Sequence, residues 1–337
     1  WQRILSRHQA DHFHQNTYHK LCSGQKKANN GEIPVLIYNP HPFELEGDFD
    51  VEFQMAEQND PNNGIYNVYV RNESGEFVPS QLEQEDSAHG SDWRKKVAFH
   101  TTLKPMGITR LDCVLKCEKY FVSIKPYIEN DEYIILKNAF IEAKISKKTG
   151  LIESFIKDGK NMLNSMKIKA YKDNADPWGM LVNEFSDVLG EFELNKGIRV
   201  IENGEVRTKI QADFKWNKSY AVITYIFSKN SKCFDIDVKM LTNDENTMFK
   251  LIFDTTLDKN SKALGQTMFG IEALRKLGKE VVFQKWCGLE VDSTNFNIIN
   301  LGSYGGSFNE RTAKYQKYYQ HNNRSCSNIF NNNVRRI

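Results

Sequence analysis

Phe140-Ile-Glu-Ala-Lys-Ile145, Lys147-Lys-Thr-Gly150 and Leu151-Ile-Glu-Ser-Phe-Ile156 follow one another almost without interruption. The outer two pieces are short runs rich in β-branched and aromatic residues, which fit a pleated surface better than a helix. Between them Thr149-Gly150 supplies a residue that takes a positive φ without steric cost. Strand, turn, strand is the economical reading. Working outward, Val51-Glu-Phe-Gln-Met55 and Phe234-Asp-Ile-Asp-Val238 alternate apolar with polar, so each shows one face to a core and one to water. Tyr133-Ile-Ile-Leu136 and Ala221-Val-Ile-Thr-Tyr-Ile-Phe227 continue the pattern, and the 20 glycines and 8 prolines punctuate it. A helical period is present only before Gly24, where Ile4, Leu5, His8, His12 and Leu21 fall near helical spacing. The predicted fold class is all-β. A helical remnant and linker occupies 1–31, a small β-domain 32–118, a large β-sandwich domain 119–315 and an irregular tail 316–337. The tail is crowded with Tyr, Gln, Asn and Arg and has few apolar residues to bury, so it is expected outside the core and open to early proteolysis.

Composition narrows the function. The chain has 337 residues, 40% of them hydrophobic, and 45 basic against 43 acidic side chains give a formal charge of +2. That balance argues against electrostatically driven nucleic-acid binding, and Arg94-Lys-Lys96 is too short a basic run to change this. The longest apolar run, Tyr220 to Phe227, falls far short of the ~20 residues of a membrane span. The six cysteines, Cys22, Cys113, Cys117, Cys233, Cys287 and Cys326, are scattered without CxxC pairing, which predicts reduced thiols and a cytoplasmic protein. The sequence opens on Trp1 with neither an initiator Met nor a secretory pattern, so a fragment or processed piece is expected.

Chemistry-bearing residues are few. His8 and His12 stand one helical turn apart with Asp11, His14 and His19 nearby, but no Glu follows in the HExxH manner, and a polar helix face is the simpler reading. Asp48, Asp50 and Glu52, like Asp235 and Asp237, alternate along strands, which predicts a solvated sheet surface rather than two carboxylates facing each other across a cleft. No GxSxG, phosphate-binding loop or dinucleotide fingerprint occurs. No catalytic, cofactor-binding or metal-binding residue is therefore named. Aromatic residues make up 12% of the chain, enough for either core packing or sugar-facing surfaces.

Four longer segments carry a resemblance. They are Ile33-Pro-Val-Leu-Ile-Tyr-Asn-Pro-His-Pro-Phe43, the stretch from Leu136 to Phe155, Asp173-Asn-Ala-Asp-Pro-Trp-Gly-Met180, and Gln284-Lys-Trp-Cys-Gly-Leu289 followed by Ile298-Ile-Asn-Leu-Gly-Ser-Tyr-Gly305. In this order they resemble the C-terminal β region of the glycoside hydrolase family 38 α-mannosidases. The resemblance implies an antiparallel sandwich of the mutarotase-like supersandwich type, preceded by a small β-domain. It also implies a parent that hydrolyses α-mannosides by a retaining mechanism, with an Asp nucleophile and zinc carried by an N-terminal catalytic barrel. No such barrel lies in this sequence, and His8-Gln-Ala-Asp-His-Phe-His14 does not reproduce the family's Gln-x-His-Asp ligand motif. The chain alone is accordingly expected to be inactive. Its expected partners are a mannose-containing carbohydrate and the missing N-terminal catalytic domain, with homo-oligomer formation left open. Trp178 and Tyr304 are the candidate substrate-binding residues, either of which could instead be packed. A non-catalytic carbohydrate-binding or structural β-module is the alternative.

Overall fold

The computed structural model describes residues 19–20, 22–55, 64–85, 93–119, 125–173, 183–275, 277–300, 302–317 and 330–334. His8, His12 and most of the predicted helix lie outside them, and among the described residues helical geometry occurs at positions 19–20 and 22–23. The remainder is antiparallel β-structure in two compact units, residues 1–122 and 123–337.

In the first unit a four-stranded sheet, ordered Glu32–Asn39, Gly107–Glu118, Ile65–Asn72, Phe77–Val78, accompanies a three-stranded sheet ordered Leu45–Gln54, Arg94–Leu103, Ser80–Glu83. Two-residue alternation decides which side chains meet: Phe49, Val51 and Phe53 pack on a core of Val68, Val70, Val97, Phe99, Leu111 and Cys113. The Asn39-Pro40 turn has a tertiary role. The buried Asn39 amide donates to the carbonyls of Phe43 (2.9 Å) and Lys104 (3.1 Å), and its Oδ1 accepts the His41 N–H (3.0 Å). One side chain thus ties two loops together and leaves none of its own polar atoms unsatisfied.

The second unit is built on a ten-stranded sheet and a five-stranded sheet, with a smaller four-stranded sheet beside them. In the large sheet, Ile141–Ser146 pairs with Ile152–Lys157, so the hairpin read from sequence is present. Gly150 takes φ +71°, and a Cβ there would lie 2.6 Å from Leu194 Cδ1 and 3.1 Å from the Phe214 ring. The glycine is needed both for the turn and for the approach of the facing sheet. Its carbonyl also accepts the hydroxyl of the buried Tyr225 (2.9 Å). Asn138 is a second tie: its amide reaches the carbonyls of Ser228 (3.0 Å) and Ser231 (2.9 Å), and its Oδ1 caps the N–H groups of Phe140 and Ile141. Between the sheets lies a continuous core containing Ile168, Phe249 and Phe253 from the large sheet and Ile210, Phe214 and Ile236 from the five-stranded one.

Two expectations need correction. Within 316–337, expected as an irregular tail, the strand Thr312–Lys317 runs past the predicted boundary, and Phe330–Val334 pairs with Asp235–Leu241 as the last strand of the five-stranded sheet. Backbone pairing to an open sheet edge does not require the apolar content that the sequence lacks there. The alternating carboxylates do share strand faces, but those faces are not simply solvated. Asp48 has a side chain only 12% exposed, and one oxygen each of Asp48, Asp235 and Asp237 is out of contact with water.

Candidate functional site

The strand Thr247–Thr255 reads Met-Phe-Lys-Leu-Ile-Phe through its middle. Phe249 and Leu251 point into the sandwich core, so Lys250 must face the other side of the large sheet. There its side chain is 0% exposed. Its ammonium ion-pairs with Glu280 and donates to Ser307 Oγ at 3.3 Å, while the rings of Tyr171 and Phe185 stand 5.1 and 5.5 Å from it. Glu280 and Ser307 are cross-strand partners, so one rung of the sheet presents both groups to the lysine. Lys314 adds a second ammonium 5.7 Å from the Tyr171 ring.

Burial dominates the electrostatics. It pulls Lys250 below the usual lysine range and lifts Glu280 above the usual carboxylate range, each opposed by the attraction of its partner. Tyr171 is pushed up to about 12, first by burial and then by the charges of Glu280 and Glu191. A lysine so enclosed, with its donors engaged, serves as a clamp between strands; its ammonium is out of reach of a soluble substrate. What it clamps is the segment after the distinctive octet. Asn183 accepts the Glu280 N–H (2.8 Å), Asp187 accepts the Lys172 N–H (2.8 Å), and Phe185 lies against the ammonium.

Of the two residues singled out for sugar contact, Trp178 lies outside the described residues. Asp173, the last described residue before it, donates its N–H to the Asn246 carbonyl (2.8 Å). Tyr304 is described and 50% exposed. Asn300 builds its turn: the buried amide donates to the Gln284 carbonyl (2.7 Å) and its Oδ1 accepts the Ser303 N–H (3.1 Å). The Tyr304 carbonyl then accepts the Phe283 N–H (2.9 Å), and the strand Gly305–Asn309 leads on to Ser307. Structure therefore places Tyr304 immediately before the strand that carries Ser307 of the lysine cluster. Lys250 and Glu280 were missed from sequence, although a lone lysine inside an otherwise apolar run was the available signal.

Among the described residues no three His, Cys, Asp or Glu side chains converge as metal ligands. The nearest grouping, His100 with Asp48 and Glu46, has both ring nitrogens already facing carboxylates, at 2.7 and 3.3 Å. The described cysteines Cys22, Cys113, Cys117, Cys233 and Cys287 form no disulfides, and burial pushes the Cys113 thiol up to about 12. No helix among the described residues is long and apolar enough to cross a membrane.

The sequence profile of the Glycosyl hydrolases family 38 C-terminal domain matches residues 136–315, from the strand before the Thr149-Gly150 hairpin to the strand after the Tyr304 turn. The chain belongs to this family. No curated protein sequence matches it. Among solved structures, a protein in the glycosyl hydrolase family 38 from Enterococcus faecalis is similar with a TM-score of 0.64 at 11% identity, over 86% of this chain and 41% of that one. An alpha-mannosidase from Enterococcus faecalis V583 is similar with a TM-score of 0.61 at 10% identity, over 86% of this chain and 40% of that one. At such identities the likeness is one of fold. The family 38 chain described here thus spans about two fifths of the length of either structure.

Proposed function

We propose that this chain is the C-terminal β region of an α-mannosidase, and that the residues performing glycoside hydrolysis in the intact enzyme belong to a catalytic domain outside it. The family match over 136–315 carries this reading. Two further observations support it: the fold is shared with an alpha-mannosidase over 86% of this chain, and among the described residues the Lys250–Glu280 pair is sealed between strands, with the lysine side chain 0% exposed. Mannose-containing carbohydrate is the substrate class, and the cytoplasm, where free thiols persist, is the compartment.

The purified chain should release no p-nitrophenol from p-nitrophenyl α-mannoside above a heat-killed control, with or without added zinc. Zinc-dependent release would overturn the division of labour. Reading the encoding DNA on either side of this segment sharpens the test. A frame encoding an aspartate-bearing barrel upstream is expected; its absence would favour a non-catalytic carbohydrate-binding module.

A further inference from the structure

At one end of the second unit, Trp216 closes the strand Arg207–Trp216 and stands where the large and five-stranded sheets come together. Its indole packs on Phe192 and Phe249, with ring centroids 6.3 and 6.0 Å away. Gly190, on the strand Val188–Glu191 of the large sheet, makes room for it: a Cβ at that position would lie 2.2 Å from Trp216 Nε1. Among the described residues no acceptor takes the indole N–H. The ring is half-buried, and two open clefts, of about 580 and 400 Å³, share it as a wall. These volumes lie in the range of small-ligand sites.

The walls specify the ligand. The larger cleft offers Glu191, Glu193, Asn195 and Lys215 beside the indole. The smaller offers Lys218, Asn243, Asp244 and Glu245. Each has two carboxylates to one ammonium, which disfavours an anionic ligand such as a phosphate. A bare cation is disfavoured as well, because Glu191 is held by Lys169 (2.6 Å) and Asp244 by Ser219 Oγ (2.6 Å) and the Asn217 amide. Carboxylates and side-chain amides around one apolar ring suit a ligand with many hydroxyl donors and acceptors and an apolar C–H face. Asn217 separates the clefts. It takes φ +47° as the first residue of the hairpin loop, and its bond to Asp244 orders the loop before any ligand arrives.

We propose that the paired clefts at Trp216 bind a neutral oligosaccharide, one sugar ring lying against the indole and its neighbour in the adjoining cleft. The inference deepens the mannoside reading and rests on it for the choice of a mannose-bearing probe. The test is a titration of the ¹⁵N-labelled chain with mannotriose and, separately, maltotriose, following the tryptophan indole N–H resonances. Trp216→Phe assigns its own resonance by removing it. That resonance should shift saturably, with a Kd on the order of millimolar. Asn195→Ala, on an exposed rim position with no bond to lose, should weaken binding about fivefold with the remaining spectrum unchanged. Trp216→Ala should abolish it, read in that variant from the backbone amide resonance of Asn217, which lines both clefts. No saturable shift at Trp216 with either sugar would overturn the proposal, as would undiminished binding in Asn195→Ala and Trp216→Ala together. Saturation by maltotriose alone would uphold the clefts as a sugar site while counting against mannose. Since the readout is binding, a null result removes the clefts and leaves the p-nitrophenyl mannoside assay standing on its own.

Discussion

The two units bury different things. In the first, the core is aliphatic and thin: Val68, Val70, Val97 and Leu111 with, among the described residues, a single fully buried ring, Phe99. Its Arg110–Asp112 ion pair keeps some water, with side chains 12% and 16% exposed. In the second, aromatic rings interlock in series. Phe234 meets Phe155, Tyr225 and Phe227 at centroid separations of 6.3, 5.9 and 6.0 Å, and Phe253 meets Phe296 at 5.9 Å. The second unit also encloses a charge completely, at Lys250. The difference shows what a larger interior permits. With more apolar contact in reserve, it can hold an ion pair whose desolvation outweighs its attraction.

Removing the ring at the centre of the aromatic series should have the largest effect. Phe234→Ala is expected to lower the stability of the second unit by about 3–5 kcal/mol, through lost transfer energy and a cavity that interlocked neighbours cannot collapse into. Chemical denaturation followed by near-UV circular dichroism measures it. A loss below about 1 kcal/mol would mean the aromatic series is plastic rather than interlocked.

Breaking the enclosed ion pair tests the other half of the contrast, and its effect depends on pH. Lys250→Met leaves Glu280 buried without its cation and should cost about 3–5 kcal/mol near neutrality. With the lysine gone, Glu280 loses its main opposing attraction, and burial, already the largest influence, still outweighs the Phe185 backbone bond and the Lys314 charge, so its folded-state pKa stays above the unfolded value. The folded protein then binds the extra proton. Stability contributed by protonated Glu280 is present below the unfolded carboxylate pKa and is lost as pH rises through the raised one. The deficit of Lys250→Met should therefore shrink as pH falls toward the ordinary carboxylate range, and Lys250→Met with Glu280→Leu should recover most of it. Urea midpoints across that range check both points; a deficit independent of pH would show that the lysine contributes packing alone.

The smallest of the three effects is expected in the first unit. Val70→Ala should cost roughly 2 kcal/mol, in proportion to the methyl groups removed, with little added cavity cost because the thin core can close over them. A loss matching that of Phe234→Ala, by the same denaturation measurement, would erase the distinction between the two interiors.

Some of this was legible in the sequence. The period-two alternation in Val51-Glu-Phe-Gln-Met55 and Phe234-Asp-Ile-Asp-Val238 and the Thr149-Gly150 hairpin are local facts, set by side-chain geometry along a strand and by the φ a turn demands. Four segments in a family's order were enough to place the chain among the family 38 C-terminal domains. Partners across sheets were not legible. Asn39 and Asn138 each span to a carbonyl far along the chain, 65 residues on for Asn39 and 90 and 93 for Asn138. The lysine in Met-Phe-Lys-Leu-Ile-Phe named no partner, because Glu280 and Ser307 come to it only after distant strands take their register. Nor did Trp216 differ from other strand aromatics until Gly190, from the other sheet, gave its indole a place to lie. Sequence by itself determined which residues form strands, because strand chemistry acts between near neighbours. Only the tertiary structure decided which polar groups are sealed and which ring lines an open cleft, because those depend on what distant strands, of the same sheet or of the facing one, bring within a few ångströms.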